Sequence, residues 1–412
     1  MPPSDWFGAS PSGETHPTKN MTASTPVRPV TSTAQSWMPG IEVIRGIAAL
    51  VVVVHHMWSL STMPRFRWYW MVEGFGSFGV NIFFVLSAFL LSPPSWSLRT
   101  RSDVGMFWGR RAARIMPAYL ANIFILFLFF VPAGALLSRV GLKQVAANLT
   151  FTHQLFPSTI GSFGANGVLW TLSVEFFLYL SLPLIGWLFS RAPFATFVTM
   201  MALGTGWRLL IGLNGDGLRS LYFGDTPVPI ALQSLFVARQ FVGYLPLFAI
   251  GMAARWVYEN KRSWFEDRGF AMNLPFALGL LFPGVLFLVF VERSSFYTHW
   301  VWFSTFDTII GLLIVPALLV AAAGTLAPSR VNRLAEWAGQ RSYGLYLWHF
   351  PVILVAYERG IAYAPPVLNH WWARIVFVLA ITAILADVSY RSIEMPAQRW
   401  AKGRLLTAGR GS

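Results

Sequence analysis

The chain has 412 residues, of which 55% are hydrophobic and only 12% charged, with a mean hydropathy of +0.54. Soluble domains carry about a quarter charged residues, so a water-soluble enzyme, a disordered scaffold and a disulfide-stapled secreted module are excluded, and a single polytopic membrane domain is expected. There is no cysteine to supply a thiol nucleophile or metal ligand; the net charge of +14 reads as basic flanks of membrane helices rather than a nucleic-acid surface.

Residues 1–37 are rich in Pro, Ser and Thr and lack an apolar run, which predicts a disordered cytoplasmic tail and no cleavable signal peptide. From Gly40 onward, apolar segments of a length to cross about 30 Å of hydrocarbon alternate with short polar loops. The reading is an all-α polytopic membrane protein with about ten transmembrane helices, at 41–60, 76–92, 113–136, 167–189, 194–212, 238–258, 272–291, 302–326, 342–358 and 372–391. One membrane domain over 38–400 is followed by a basic tail at 401–412. With the N-terminus inside, roughly two thirds of the 31 Lys and Arg fall on the cytoplasmic side, which predicts both termini cytoplasmic. No internal repeat of the kind common in transporters is visible.

Ionisable residues inside such helices are costly and mark functional candidates. In IEVIRGIAALVVVVHHMW, Arg45 and His56 are eleven residues apart, so they share one helix face with about 16 Å between them along the axis. His56 reads as a general base, with structural packing as the alternative; His55, turned about 100° away, reads as a packing residue. In RRAARIMPAY, Arg111 and Arg114 lie on one face at the cytoplasmic entrance of helix 3. Planar guanidinium forks suit phosphate, so with Arg110, Arg101 and Arg99 they form either an anionic-donor site or an ordinary positive flank. Glu175 is a carboxylate in an otherwise uncharged span and is expected to be protonated or paired with Arg or His; Ser173 beside it reads as a packing hydroxyl. His349 in SYGLYLWHFPVILV is a second deep imidazole, structural or functional, and Glu394 is expected to pair with Arg391 or another arginine. His55, His56, Glu175 and His349 lack the spacing of a metal motif, so no metal is expected.

Taken together, the segments IEVIRGIAALVVVVHH, GVNIFFVLSAFLLS, FWGRRAARIMPAYL, LWTLSVEFFLYL, SYGLYLWHFPVIL and YRSIEMPAQRW resemble the membrane acyltransferase-3 family of integral-membrane O-acyltransferases, in family order from Ile41 to about Trp400. The resemblance places the family's Arg-to-His signature on Arg45 and His56, its Arg-x-x-Arg on Arg111 and Arg114, its Ser-x-Glu on Ser173 and Glu175, and its helix-9 histidine on His349, with Tyr346, Glu394 and Asn81 as supporting pocket residues. Asn81, Ala88 and Glu42 depart from the family's usual Asp, Gly and Asp, and Phe176 and Phe177 replace a polar pair; these changes bear on the acceptor pocket and point toward a lipid-linked acceptor. The resemblance implies transfer of a short acyl group, acetyl above all, from cytoplasmic acyl-CoA to a hydroxyl of a cell-envelope glycolipid or glycan. No tightly bound cofactor is implied; acetyl-CoA is a co-substrate.

The chemistry agrees: a neutral His56 could deprotonate the acceptor hydroxyl, while Arg45 or a partner stabilises the developing negative charge. A direct transfer needs no covalent intermediate, although an acyl-histidine or acyl-serine route stays open. The rival class is a secondary transporter or exporter of lipid or glycan, in which the polar stripe would relay protons. The expected location is the cytoplasmic membrane of a bacterium.

Overall fold

Apolar runs punctuated by prolines and short polar turns fold as helices in the computed structural model, which describes residues 38–59, 69–159, 166–213, 215–224, 230–293, 300–358, 368 and 370–408. The tail predicted at 1–37 lies outside the described residues. The helices in chain order are α1 (Pro39–Ser59), α2 (Tyr69–Trp96), α3 (Arg101–Phe130), α4 (Ala133–Leu136), α5 (Arg139–Leu149), α6 (Trp170–Arg191), α7 (Pro193–Leu213), α8 (Gly215–Phe223) and α9 (Ile230–Ala238). A 3₁₀ turn at Phe241–Tyr244 leads into α10 (Leu245–Asn260), then α11 (Arg262–Glu266), α12 (Leu274–Arg293), α13 (Trp300–Ala323), α14 (Arg330–Gln340), α15 (Ser342–Ile353), α16 (Trp371–Ser389) and α17 (Met395–Ala408). Two-residue strands, β1 (Ala271–Met272) and β2 (Thr325–Leu326), pair in parallel.

The protein is an all-α polytopic membrane protein. Among the described residues eight helices are long and apolar enough to cross a bilayer. The other two expected spans are shorter: Leu274–Phe290 is an apolar helix below that length, and 342–358 is α15 followed by a π turn at Leu354–Glu358. Large apolar side chains such as Phe124, Leu128 and Phe129 on α3, Leu184 on α6 and Phe194 on α7 are exposed, as a hydrocarbon-facing surface requires.

Several expected boundaries shift for local reasons. The third helix starts at Arg101 rather than near 113, because Thr100 and Asp103 form a reciprocal capping box there: Asp103 N–H donates to Thr100 Oγ1 at 3.1 Å and Thr100 N–H to Asp103 Oδ2 at 2.8 Å. It stops at Phe130 rather than 136, just before Pro132, which has no N–H to continue it. The last expected helix passes through a π turn (Tyr390–Glu394) into α17, so the chain stays helical up to Ala408. Helices α4, α5, α8, α9, α11 and α14 had no apolar-length signal and were not anticipated.

Helix α1 is the spine of the core: it packs along α2 and α14 and against α15 and α13. The α1–α14 approach depends on glycine, since a Cβ at Gly339 would stand 1.9 Å from the Glu42 carbonyl oxygen and one at Gly46 would stand 2.5 Å from that of Ala335. Two prolines inside helices release carbonyls that side chains then collect. Pro183 leaves the Tyr179 carbonyl without its helical donor, and Trp108 Nε1 donates to it at 3.2 Å. Pro351 does the same to the Leu347 carbonyl, which accepts from Asn122 Nδ2 at 3.2 Å and Asn166 Nδ2 at 3.3 Å. The segment leading into α6 is thereby fastened to α15.

A buried polar knot joins α7, α13 and α2. Arg208 is ion-paired with Asp307, whose other oxygen accepts from Asn81 Nδ2 at 2.7 Å. Arg208 Nε also donates to the Gly243 carbonyl at 3.1 Å, which fixes the 3₁₀ turn. Asn81 is thus matched to a carboxylate brought from another helix: an aspartate there would face Asp307 as a like charge.

Candidate active site

The helical period sets two levels on α1. At the lower level Arg45, 9% exposed, donates to Glu42 Oε2 at 3.0 Å and Oε1 at 3.1 Å, one turn back. Arg114 of α3 lies within electrostatic reach of Arg45 and of buried Glu394, and Arg111 within reach of Glu175 and Tyr179 on α6. Arg111 and Arg114 are half-buried and have no carboxylate salt-bridge partner among the described residues. Two fork-shaped cations are therefore open to an anion. Arg110, turned away on the same helix, is exposed, as are Arg101 and Arg99; Arg99 spends its Nη1 on the Trp96 carbonyl at 2.8 Å.

Glu175 accepts from Ser87 Oγ of α2 at 2.8 Å and from the Tyr179 hydroxyl one turn along α6. Ser173, two residues earlier, points elsewhere and donates to the Phe151 carbonyl, so its hydroxyl fastens α6 to the segment after α5. Glu394 does not pair with Arg391. Arg391 binds Asp387 at 2.7 Å, and Glu394 accepts from Ser389 Oγ at 3.2 Å. The π turn causes this, because it brings residues five apart, not four, onto one side.

The upper level is built from two imidazoles. His56, about three turns above Arg45, is half-buried; its Nδ1 lies 3.0 Å from the Val52 carbonyl and 3.2 Å from Nε2 of His349, which is 0% exposed. His349 Nδ1 lies 3.1 Å from the Leu345 carbonyl. A carbonyl can only accept, so both Nδ1 atoms carry hydrogen when the rings are neutral. His349 Nε2 is then an acceptor for His56 Nδ1–H, and the lone pair of His56 is left on Nε2, which has no hydrogen-bond partner among the described residues. Phe350 meets the His56 ring edge-on at 5.7 Å. His55 meets the His56 ring edge-on at 4.7 Å and also lies against α2, where a Cβ at Gly76 would stand 2.5 Å from its ring.

Tyr346, one turn before His349, donates to the Val168 carbonyl at 3.0 Å and lies 2.7 Å from the Thr171 hydroxyl, binding α15 to the start of α6. Asn81 belongs to the Arg208–Asp307 knot and not to the imidazole pair. Because about 16 Å of helix separates the levels, and Arg45 is held by Glu42, Arg45 cannot stabilise charge that develops at His56. Arg45 stands with the lower cluster, which leaves the developing charge to a partner nearer His56. Sequence reasoning also missed Arg239, after α9, whose guanidinium lies 4.3 Å over the Trp170 ring.

A helical membrane bundle with a lone-pair imidazole at one level and unpaired guanidinium forks at the other is suited to proton abstraction and anion binding in one protein. The chain belongs to a family described as an acyltransferase domain, whose profile matches residues 38–391. It is 28% identical over 390 residues to "Putative peptidoglycan O-acetyltransferase YrhL" of Bacillus subtilis, covering 87% of this chain and 55% of that protein. It is 24% identical over 393 residues to "Peptidoglycan O-acetyltransferase OatA" of Listeria monocytogenes, covering 89% and 56%. To "O-acetyltransferase OatA" of Staphylococcus aureus it is 26% identical over 382 residues, covering 88% and 57%. The chain thus spans little more than half the length of these curated relatives. No solved structure matches it.

Proposed function

We propose that this chain is an integral-membrane O-acyltransferase that moves an acetyl group from acetyl-CoA to a hydroxyl of a cell-envelope glycan or glycolipid. The observation that carries the reading is the His56–His349 pair, which presents an unshared lone pair on Nε2 three helical turns above the arginine cluster. His56 takes the acceptor proton, and the second ring supports the imidazolium that forms. Arg111 and Arg114 hold the donor's phosphates, with Arg45 behind them. Ser87, Glu175 and Tyr179 form the polar wall between the levels. An extended pantetheine arm spans the roughly 16 Å from the arginines to the imidazole. The names of the relatives favour a peptidoglycan-type acceptor. The basic flanks favour both termini on the cytoplasmic face of a bacterial cytoplasmic membrane, where acyl-CoA is found.

The test is sidedness. In proteoliposomes, acetyl-CoA supplied at the face carrying the N-terminal end of α1 should acetylate an acceptor confined to the opposite face; modification only of acceptor on the donor's side would overturn the through-membrane reading. For the donor site, replacing both Arg111 and Arg114 with alanine should weaken acetyl-CoA binding in detergent about a hundredfold or more, each lost fork contributing about 1.5–3 kcal/mol to a charge-assisted contact. Lysine should restore little, because it lacks the planar fork. Unchanged affinity in the double variant moves the donor phosphates elsewhere.

A further inference from the structure

Attack of a hydroxyl on a thioester places a negative charge on the carbonyl oxygen, and a site that supplies only a base leaves that charge unsupported. Arg45 is too far from His56 to serve. The His56 Nδ1 hydrogen is shared between the Val52 carbonyl and His349 Nε2, that of His349 Nδ1 points at the Leu345 carbonyl, and the Tyr346 hydroxyl is directed at the Val168 carbonyl. The donor has to come from another element.

Arg239 occupies that place. It follows α9 directly and precedes the 3₁₀ turn, and its backbone is clamped on both sides. Trp207 Nε1 donates to the Val237 carbonyl at 2.9 Å, Gln240 Nε2 to that of Gln154 at 2.9 Å, and Arg208 Nε to that of Gly243 at 3.1 Å. The guanidinium stacks on Trp170, whose chain neighbour Thr171 meets Tyr346, whose ring in turn lies edge-on to His349 at 5.8 Å. His56 and Tyr346 both fall within electrostatic reach of Arg239. The side chain is half-buried and has no carboxylate partner among the described residues. A guanidinium held over an indole by its cation–π contact does not spend its N–H donors on that contact.

We propose that Arg239 is a catalytic residue, the oxyanion donor that faces His56 across the reacting thioester. The acceptor O–H bond breaks, with its proton passing to His56 Nε2, as the oxygen bonds to the carbonyl carbon. The carbonyl π pair moves onto its oxygen, where the Arg239 N–H groups hold it. When that pair returns, the C–S bond breaks and the departing thiolate takes the proton from His56, leaving an ester and a free thiol.

This assignment rests on His56 being the base, so the two are tested together, with acetyl-CoA as donor and an uncharged N-acetylglucosamine oligomer as acceptor. Arg239→Gln should lower kcat by about 10²–10³-fold, with both KM values within about threefold and the melting temperature in detergent unchanged. Arg239→Lys should recover part of the loss but remain about tenfold slow, since the charge returns without the fork. If Arg239→Gln does not insert, the Lys variant is read alone, and wild-type kcat there overturns the proposal. Near-normal kcat in Arg239→Gln beside an inactive His56→Ala overturns the oxyanion role and leaves the base standing; a rise in acceptor KM at constant kcat also overturns it. Wild-type turnover in His56→Ala overturns the base itself.

Discussion

The His56→Ala protein should insert and purify normally yet transfer acetyl groups about 10²- to 10⁴-fold more slowly, the range expected when a positioned general base is removed. His55→Ala should retain most of the activity, because that ring packs edge-on against His56 and onto Gly76 but is not part of the His56–His349 hydrogen bond. His349→Ala should fall between them, about 10- to 100-fold down. With His349 gone, Nδ1 of His56 still meets the Val52 carbonyl and the tautomer survives, but the partner that shares the imidazolium charge is lost. Single-turnover thiol release from acetyl-CoA separates these cases. Equal loss in the His55 and His56 variants would sink the assignment, since only one of these rings shares the face of Arg45.

Asp307→Ala should cost about 3–5 kcal/mol, because it strands the Arg208 guanidinium inside the bundle. A thermal melt in detergent reads this directly. Asn81→Asp should also destabilise, by setting a second carboxylate against Asp307 where an amide now donates at 2.7 Å. Combining Asn81→Asp with Asp307→Asn restores one carboxylate and one amide across the same gap. The double variant should therefore be more stable than the sum of the two singles predicts. Additive losses would show that Arg208 reads only position 307. Activity should follow stability here, since Arg208 also holds the Gly243 carbonyl in the turn after Arg239.

What could be read from the sequence was whatever depends on one helix at a time. The shared face of Arg45 and His56 follows from their eleven-residue spacing, and the apolar runs located the spans because bilayer thickness fixes their length. Ser173 reads as a packing hydroxyl from its helix alone, and it donates to the Phe151 carbonyl. What depends on the neighbour of a helix was not legible. His56 and His349 are 293 residues apart, and nothing in either helix specifies that their rings meet. Asn81 looked like a loss of polarity until Asp307 arrived from α13. Glu394 reads as a partner of Arg391 or another arginine, whereas across a π turn, which has no plain sequence signature, it accepts from Ser389. Arg239 carried no signal because it lies between short elements and was counted only as one more basic residue.

The ordering of the two imidazoles also bears on the transporter alternative. From His56 Nε2 the hydrogen-bonded path runs through Nδ1 to His349 Nε2, leaves by the far Nδ1 and stops at the Leu345 carbonyl. An amide oxygen inside a helix does not take up a proton and pass it on. Among the described residues the path is a cul-de-sac: a proton that enters at Nε2 is held across two rings and leaves by the way it came. A carrier driven by a proton gradient needs a second exit, whereas acyl transfer needs a proton lent to the enzyme for the lifetime of one tetrahedral intermediate and then returned to the departing sulfur.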